Sequence, residues 1–399
     1  MTTPPVPITA YTATTAFGAG NGPLLAGLQA GRTGLALQRF ETAGFDAWLG
    51  IVEGVDAVQL PPGLAAWDCR NNRLAWMGLQ ADGFAARVAA VRERVGAERV
   101  GVFLGTSTSG ILQTEQAYRR RDPATGALPA DFHYEQTHNT GSVGAFVQAA
   151  LGLAGPCSVV STACSSSAKV FASAARMLAL GLIDAAVVGG VDSMCLTTLY
   201  GFQSLELVSP EICRPWDAGR RGISLGEAAA FALLERDAVA PSGWLRGAGE
   251  TSDGHHMSSP HPEGAGAAAA IRLALEQAGL APAQVDYLNL HGTATPSNDA
   301  AEDRAVASVF GPGGVRCSST KGATGHTLGA AGGVEAVVCL LALQHGFVPG
   351  GANLQQADPA LAARYVAGPA QPDASLRTVA SNSFGFGGSN ACLVLGAAA

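Results

Sequence analysis

Short runs of apolar and β-branched residues alternate with Ala- and Leu-rich stretches through most of the chain. Candidate strands fall at 99–104, 157–161, 185–188, 228–234, 285–290, 315–318, 378–382 and 391–395. Helical patterns lie between them at 72–95, 166–180, 265–278 and 330–343. Such alternation predicts an α/β fold. Of 399 residues, 48% are hydrophobic and 14% charged, enough for a large core but with little polar surface. A chain that buries both a core and a subunit interface has this composition, so a dimer is expected. The 52 glycines favour tight turns and close helix–strand contact.

The pattern suggests two halves, 1–243 and 244–399, meeting at the Pro241-Ser242-Gly243 stretch. Residue-level similarity between them is too weak to establish a repeat. A net charge of −7 argues against general nucleic-acid binding, so an acidic partner would need a local basic patch. The opening residues carry no leader pattern, and no charge-free apolar run reaches the ~18 residues that span a membrane. Eight scattered cysteines without a C-x-x-C pair point away from disulfides and metal ligation. A cytoplasmic enzyme is expected.

The stretch 166–180 carries only Lys169 and Arg176 as charges, seven residues apart on one face. Its other faces are apolar, so most of this helix is expected to be buried, with Gly181 as its stop. Cys164 stands at its start, in Ser161-Thr162-Ala163-Cys164-Ser165-Ser166-Ser167. Unpaired N–H groups and the positive end of the helix dipole there favour thiolate, the nucleophilic form. The small flanking residues leave the sulfur approachable.

Three further motifs accompany it. His291-Gly292-Thr293-Ala294-Thr295-Pro296 follows a candidate strand, and Lys321-Gly322-Ala323-Thr324-Gly325-His326 precedes the stretch that carries Glu335. A glycine-rich loop, 382–390, can present backbone N–H groups. Each is weak alone. Together they fit one mechanism, in which Cys164 takes an acyl group from a thioester and two neutral histidines stabilise an enolate formed by decarboxylation. Amides near Cys164 and Phe386 would hold the oxyanion of the condensation step.

These residues resemble the β-ketoacyl-acyl carrier protein synthases, the elongating type I/II group of the thiolase superfamily. The resemblance runs from about Gly101 to Leu395 on STACSSS, CRPWDAGRRG, TSDGHHMSSP, HGTATP, STKGATGHTLGAAGG and NSFGFGGSN. It implies a five-layered αβαβα fold from two pseudo-repeated halves. It makes Cys164 the nucleophile, His291 and His326 the decarboxylation pair, and Lys321 the support of the second histidine. Glu335 and Glu302 would join the Lys321 network at the substrate site. Phe386 would be the gate whose amide completes the oxyanion hole, Thr293 and Thr295 would bind a phosphopantetheine arm, and Phe202 and Thr108 would line the acyl pocket. A second histidine separates the pattern from initiating synthases, which carry asparagine there. The nucleophile separates it from chain-length factors.

The resemblance also implies an acyl carrier protein as partner, and a homodimer or a heterodimer with a chain-length-factor-like subunit. It implies no bound metal, nucleotide or flavin, the phosphopantetheine arriving on the carrier. Arg70 and Arg73 are the expected basic contacts for that acidic protein, with 119–121 as further candidates. Some positions depart from the family pattern: the opening strand–turn is degraded at 8–14, Glu206 stands where a basic contact is usual, and Thr108 is atypical. With the 105–110 turn and the 185–205 stretch, these departures resemble the synthases of bacterial aryl polyene pathways. Atypical fatty-acid elongation is the alternative.

Overall fold

The computed structural model of the chain describes residues 4–238 and 240–398. Eleven strands form its main sheet. They are β1 (Val6–Thr14), β2 (Val100–Gly105), β3 (Cys157–Val160), β4 (Ala185–Asp192), β5 (Ala228–Glu235), β6 (Gly243–Ser252), β7 (Tyr287–Asn289), β8 (Arg316–Ser318), β9 (Arg364–Tyr365), β10 (Thr378–Gly385) and β11 (Ser389–Ala397). The helices that matter below are α1 (Arg70–Gln80), α2 (Ser166–Ala179), α3 (Leu196–Ser204), α4 (Ala265–Ala278), α5 (Pro296–Phe310) and α6 (Ala331–His345).

The sheet order is β9-β8-β7-β10-β11-β6-β1-β5-β4-β2-β3. Within β1 to β5 the third strand pairs with the second and the second with the fourth, both parallel; the fourth pairs with the fifth and the fifth with the first, both antiparallel. The set β6, β7, β8, β10 and β11 repeats that order and those directions, and β9 is an added edge. Strands β1 and β6 join the two sets. The duplication that residues alone do not reveal is plain in the topology.

Burial follows the same plan. In β5, Ala230 and Ala232 face a central core with α2 and α6, while Phe231 and Leu233 face a second core under α1. In β11, Leu393 and Leu395 face the central core, while Cys392 and Val394 face a third core under α4 and α5. Helices thus lie outside, between and outside the two strand sets, giving five layers. Because both faces of β4 and β5 are covered, these strands read as continuous apolar runs. From Ala331 to Leu343, α6 is apolar on every side except Glu335 and fully buried, as a helix between two sheets must be. The stretch Leu328–His345 that contains it is long and apolar enough to cross a membrane, but it is this core element.

Two expectations needed revision. The helix at 72–95 is broken, because Asp82 and Gly83 take positive φ and end α1 before a new helix, Phe84–Val95, begins. The Asp82 carboxylate accepts the Thr12 hydroxyl at 2.7 Å and the Asn21 N–H at 2.8 Å, contacts that a continuous helix would forgo. Strand β6 had no apolar signature because it carries Gly247 and Gly249. A methyl on either would stand 2.3 or 2.0 Å from the carbonyls of Ala274 and Ala270 in α4. The degraded opening at 8–14 nonetheless forms β1.

Candidate active site

The chemistry-bearing segments lie after the C-terminal ends of parallel strands, where open α/β sheets place their sites. β3 leads to Cys164 and its pseudo-equivalent β8 to Lys321 and His326; β7 leads to His291 and β10 to Phe386. Ala163 takes φ 53°, so the chain turns sharply before the nucleophile. The Ser166 hydroxyl accepts the Thr162 N–H at 2.9 Å and donates to the Ala163 carbonyl at 2.5 Å. The Ser165 hydroxyl donates to the Thr162 carbonyl at 2.9 Å. These serines brace the turn; access to sulfur is not their main role.

Cys164 Sγ and His326 Nε2 are 2.9 Å apart, and the His291 ring stands edge-on to His326 with centroids 5.4 Å apart. All three side chains are buried. Burial works against the expected thiolate, pushing the Cys164 thiol up to about 12 with Lys321 opposing the shift. It thus favours a neutral thiol beside a neutral imidazole. Burial also holds both imidazoles well below their ordinary range, reinforced by the Lys321 charge.

Lys321 fixes one tautomer. Its ammonium ion-pairs with Glu335, donates to the His291 carbonyl at 2.5 Å and lies 3.4 Å from His291 Nδ1. An ammonium can only donate, so His291 Nδ1 is an acceptor and Nε2 carries the proton. Lys321 therefore supports the first histidine, not the second as expected. His326 Nδ1 has no partner among the described residues, which leaves its Nε2 free to accept from the thiol or to donate. Cys164, His291 and His326 offer ligand atoms within 4.8 Å of one another, a spacing a cation could use. The Lys321 ammonium beside a proton-bearing His291 argues against that use.

The cleft above the sulfur is narrow, enclosing about 70 Å³. Thr293, Thr295, Phe202 and Phe386 line it, as do Ser258, Ser259, Ser297 and Asn298, which sequence reasoning passed over. The Thr293 and Thr295 hydroxyls are 3.0 Å apart, and the Phe202 and Phe386 rings meet at 5.7 Å. A Cβ on Gly385 would stand 3.2 Å from the Cys164 nitrogen, so the segment entering Phe386 lies on the nucleophile's amide.

Two family models divide the chain: the β-ketoacyl synthase N-terminal domain matches residues 72–240 and the C-terminal domain residues 242–355. A 3-oxoacyl-[acyl-carrier-protein] synthase 2 of Vibrio cholerae is 31% identical over 391 residues, covering 92% of each chain. The chain belongs to the β-ketoacyl synthase family. The mitochondrial 3-oxoacyl-[acyl-carrier-protein] synthase of Arabidopsis thaliana is 39% identical over 261 residues, 61% of this synthase and 57% of that protein. A chain of the solved complex of the ketosynthase ApeO with its chain length factor ApeC, from Xenorhabdus doucetiae, superposes with a TM-score of 0.89 at 37% identity, over 98% of both chains.

Three expected site residues of the synthase act elsewhere, and a fourth, Glu335, meets its expected partner away from the cleft. Glu302 does not join Lys321: it accepts the N–H groups of His291 and Gly292 at 2.8 Å each and the Asn382 amide at 3.0 Å, anchoring the His291 loop from beneath. Glu335 meets Lys321 and does not line the cleft. Thr108 is also absent from the lining, its hydroxyl donating to Asp192 at 2.8 Å. Arg70 is only 4% exposed, pairing with Glu227 at 2.5 Å and with Asp56 at 2.6 Å, so it is no docking residue. The Glu227 carboxylate also receives the N–H groups of Val52 and Met194. Arg73, 26% exposed, is held by Asp68 at 2.6 Å.

Two predictions arise here. Arg70→Ala should destabilise the fold by about 3–5 kcal/mol, because Glu227 is left buried without its cation. Thermal unfolding should show this, while the folded fraction keeps its KM for carrier-bound substrate. A raised KM at full stability would restore the docking role. The second concerns Glu302, whose carboxyl burial raises to about 7. A raised folded-state pKa contributes stability that is present in full below the ordinary carboxyl range and lost as pH rises through about 7. Glu302→Gln stays neutral throughout, so its stability deficit against the parent should be larger at pH 5 than at pH 8. The change should be up to about 3 kcal/mol by denaturant unfolding. A pH-independent difference would mean that the carboxyl titrates normally.

Proposed function

We propose that the synthase carries an acyl group on Cys164 and condenses it with malonyl-acyl carrier protein. The observation that carries this reading is the contact of Cys164 Sγ with His326 Nε2 beside a His291 whose proton is fixed on Nε2. In the first half-reaction His326 takes the thiol proton as sulfur attacks the acyl thioester, then returns it to the departing carrier thiolate. Sulfur gains the acyl group and the carrier leaves as a thiol. In the second, the malonyl C–C bond breaks, CO₂ departs, and the electron pair of that bond forms a thioester enolate held by His291 Nε2–H and by His326 in the tautomer that carries its proton on Nε2. The enolate carbon attacks the acyl-enzyme carbonyl. The oxyanion is held by the Cys164 and Phe386 amides, and its collapse expels the cysteine sulfur, which regains a proton. The product is a β-ketoacyl thioester two carbons longer.

Past Phe202 lies an apolar cluster of Leu112, Met194, Leu199, Ile223, Leu225 and Leu328, which would receive an acyl chain. No bound cofactor is needed; the phosphopantetheine arm would pass Thr293 and Thr295. An aryl polyene pathway is proposed on the sequence departures above, with fatty-acid elongation as the alternative. Incubating the protein with acyl- and malonyl-carrier proteins should release CO₂ and yield the elongated β-keto product; acyl-enzyme without CO₂ release would refute the reading.

Strand β3 ends the sheet with its Cys157 and Ser158 exposed, an unpaired edge that a subunit of the same fold would cover. Sedimentation of the chain alone distinguishes the occupants: a dimer means a second copy, whereas a monomer that assembles and gains activity with a chain-length-factor-like subunit means a heterodimer.

A further inference from the structure

Asp192 ends β4 with its carboxylate fully buried, and no lysine, arginine or histidine pairs with it among the described residues. Five donors from two separate segments surround it. Oδ1 accepts the Thr106 hydroxyl at 2.7 Å, the Thr108 hydroxyl at 2.8 Å, and the N–H groups of Ser107 and Thr108 at 2.8 Å each. Oδ2 accepts the Gly329 N–H at 2.5 Å and shares that of Ser107 at 3.0 Å.

The two segments belong to opposite sides of the reacting pair. Residues 106–108 follow Gly105, and a methyl on Gly105 would stand 2.3 Å from the Ser167 nitrogen at the start of the nucleophile's helix. The Ser107 hydroxyl is 3.5 Å from the carbonyl of Ala163, the strained residue before Cys164. Gly329 belongs to the turn between His326 and α6, where Leu328 takes φ 54°. A methyl on Gly329 would meet Asp192 Oδ2 at 2.8 Å and the Ser107 hydroxyl at 2.7 Å, so these surfaces are in direct contact. A carboxylate can accept from both sides at once, which no neutral side chain of its size can do.

We propose that Asp192 is a positioning residue of the synthase: its two oxygens clamp the turn after His326 to the loop that braces Cys164, and so set the distance between imidazole and thiol. This rests on the reading that these two residues exchange a proton. Its negative charge acts on the same pair, raising the Cys164 thiol.

Asp192→Asn tests it. The amide oxygen can keep the Oδ1 donors, but the NH₂ group then faces the Gly329 N–H and opens that arm of the clamp. With the variant folded by circular dichroism, acyl transfer to Cys164 should fall at least about tenfold in kcat with KM within about twofold, a transition-state loss. Iodoacetamide alkylation of Cys164, which needs no condensation activity, should shift to lower pH as the charge is removed. A merely structural role would lower the unfolding temperature and move neither. Unchanged kcat together with an unchanged alkylation profile in folded protein would overturn the proposal. Thr108→Val, which removes one donor and keeps the charge, covers a misfolded Asp192→Asn: it should slow acyl transfer without shifting the alkylation profile. Parental transfer in Thr108→Val would count equally against the clamp. If the parent protein itself is alkylated but never acylated, the condensation reading fails while the effect of Asp192 on the thiol stays measurable.

Discussion

Cys164→Gln is expected to abolish condensation while malonyl decarboxylation continues. The sulfur, 2.9 Å from the His326 imidazole that takes its proton, carries the acyl group, so its loss should lower condensation by at least about 10³-fold, on the scale seen when a nucleophile is removed. Decarboxylation depends on the His291 and His326 donors, and neither hangs on the sulfur. His326 is held by its own backbone, its N–H donating to the Ser224 carbonyl at 2.7 Å and its carbonyl accepting the Gly226 N–H at 3.0 Å. His291 is held from below by Glu302 and Lys321. A glutamine amide at 164 fills the place of an acyl thioester carbonyl beside the Cys164 backbone N–H, so the site keeps its loaded shape. Measured CO₂ release from malonyl-carrier protein should stay within about tenfold of the parent or rise. Loss of both activities in a folded variant would show that sulfur takes part in decarboxylation and that the division of labour is wrong.

The nucleophile, both histidines and the Phe386 loop were legible because each sits in a motif whose residue types declare their chemistry. Polar anchoring was not. The anchoring roles of Asp192 and Glu227 are not legible because a buried acid among apolar residues looks like a solvated one until its donors are known, and those donors are mostly backbone N–H groups from distant segments. Arg70 failed for the same reason in reverse. An arginine at a helix start suggests surface, yet its partner Glu227 lies 157 residues away in sequence. The thiolate expectation counts the helix dipole and omits the desolvation that opposes it. Eight strands were visible as apolar runs, whereas β6 was hidden because glycines that admit α4 also erase its strand signal. The duplication lies in strand order and direction, which survive when sequence similarity between halves does not.

His291→Ala should separate the two half-reactions in the opposite sense. Lys321 makes His291 a dedicated donor, so its Nε2–H can stabilise an enolate but cannot take the thiol proton. Removing one such donor typically costs about 10²–10³ in rate, and CO₂ release should fall by that factor. Acyl transfer should stay within about tenfold, because His326 Nε2 remains 2.9 Å from the sulfur. His326→Ala should damage both steps, having lost the base of the first and a donor of the second. A radiolabelled acyl-enzyme assay beside a CO₂ assay reads the two steps independently. Because burial and Lys321 hold both imidazoles well below their ordinary range, decarboxylation by the parent should also stay flat from pH 8 down to pH 6. Equal loss of both steps in His291→Ala, or a rate that rises as an imidazolium forms near pH 6, would mean that a charged histidine supplies the stabilisation and that Lys321 does not fix the tautomer.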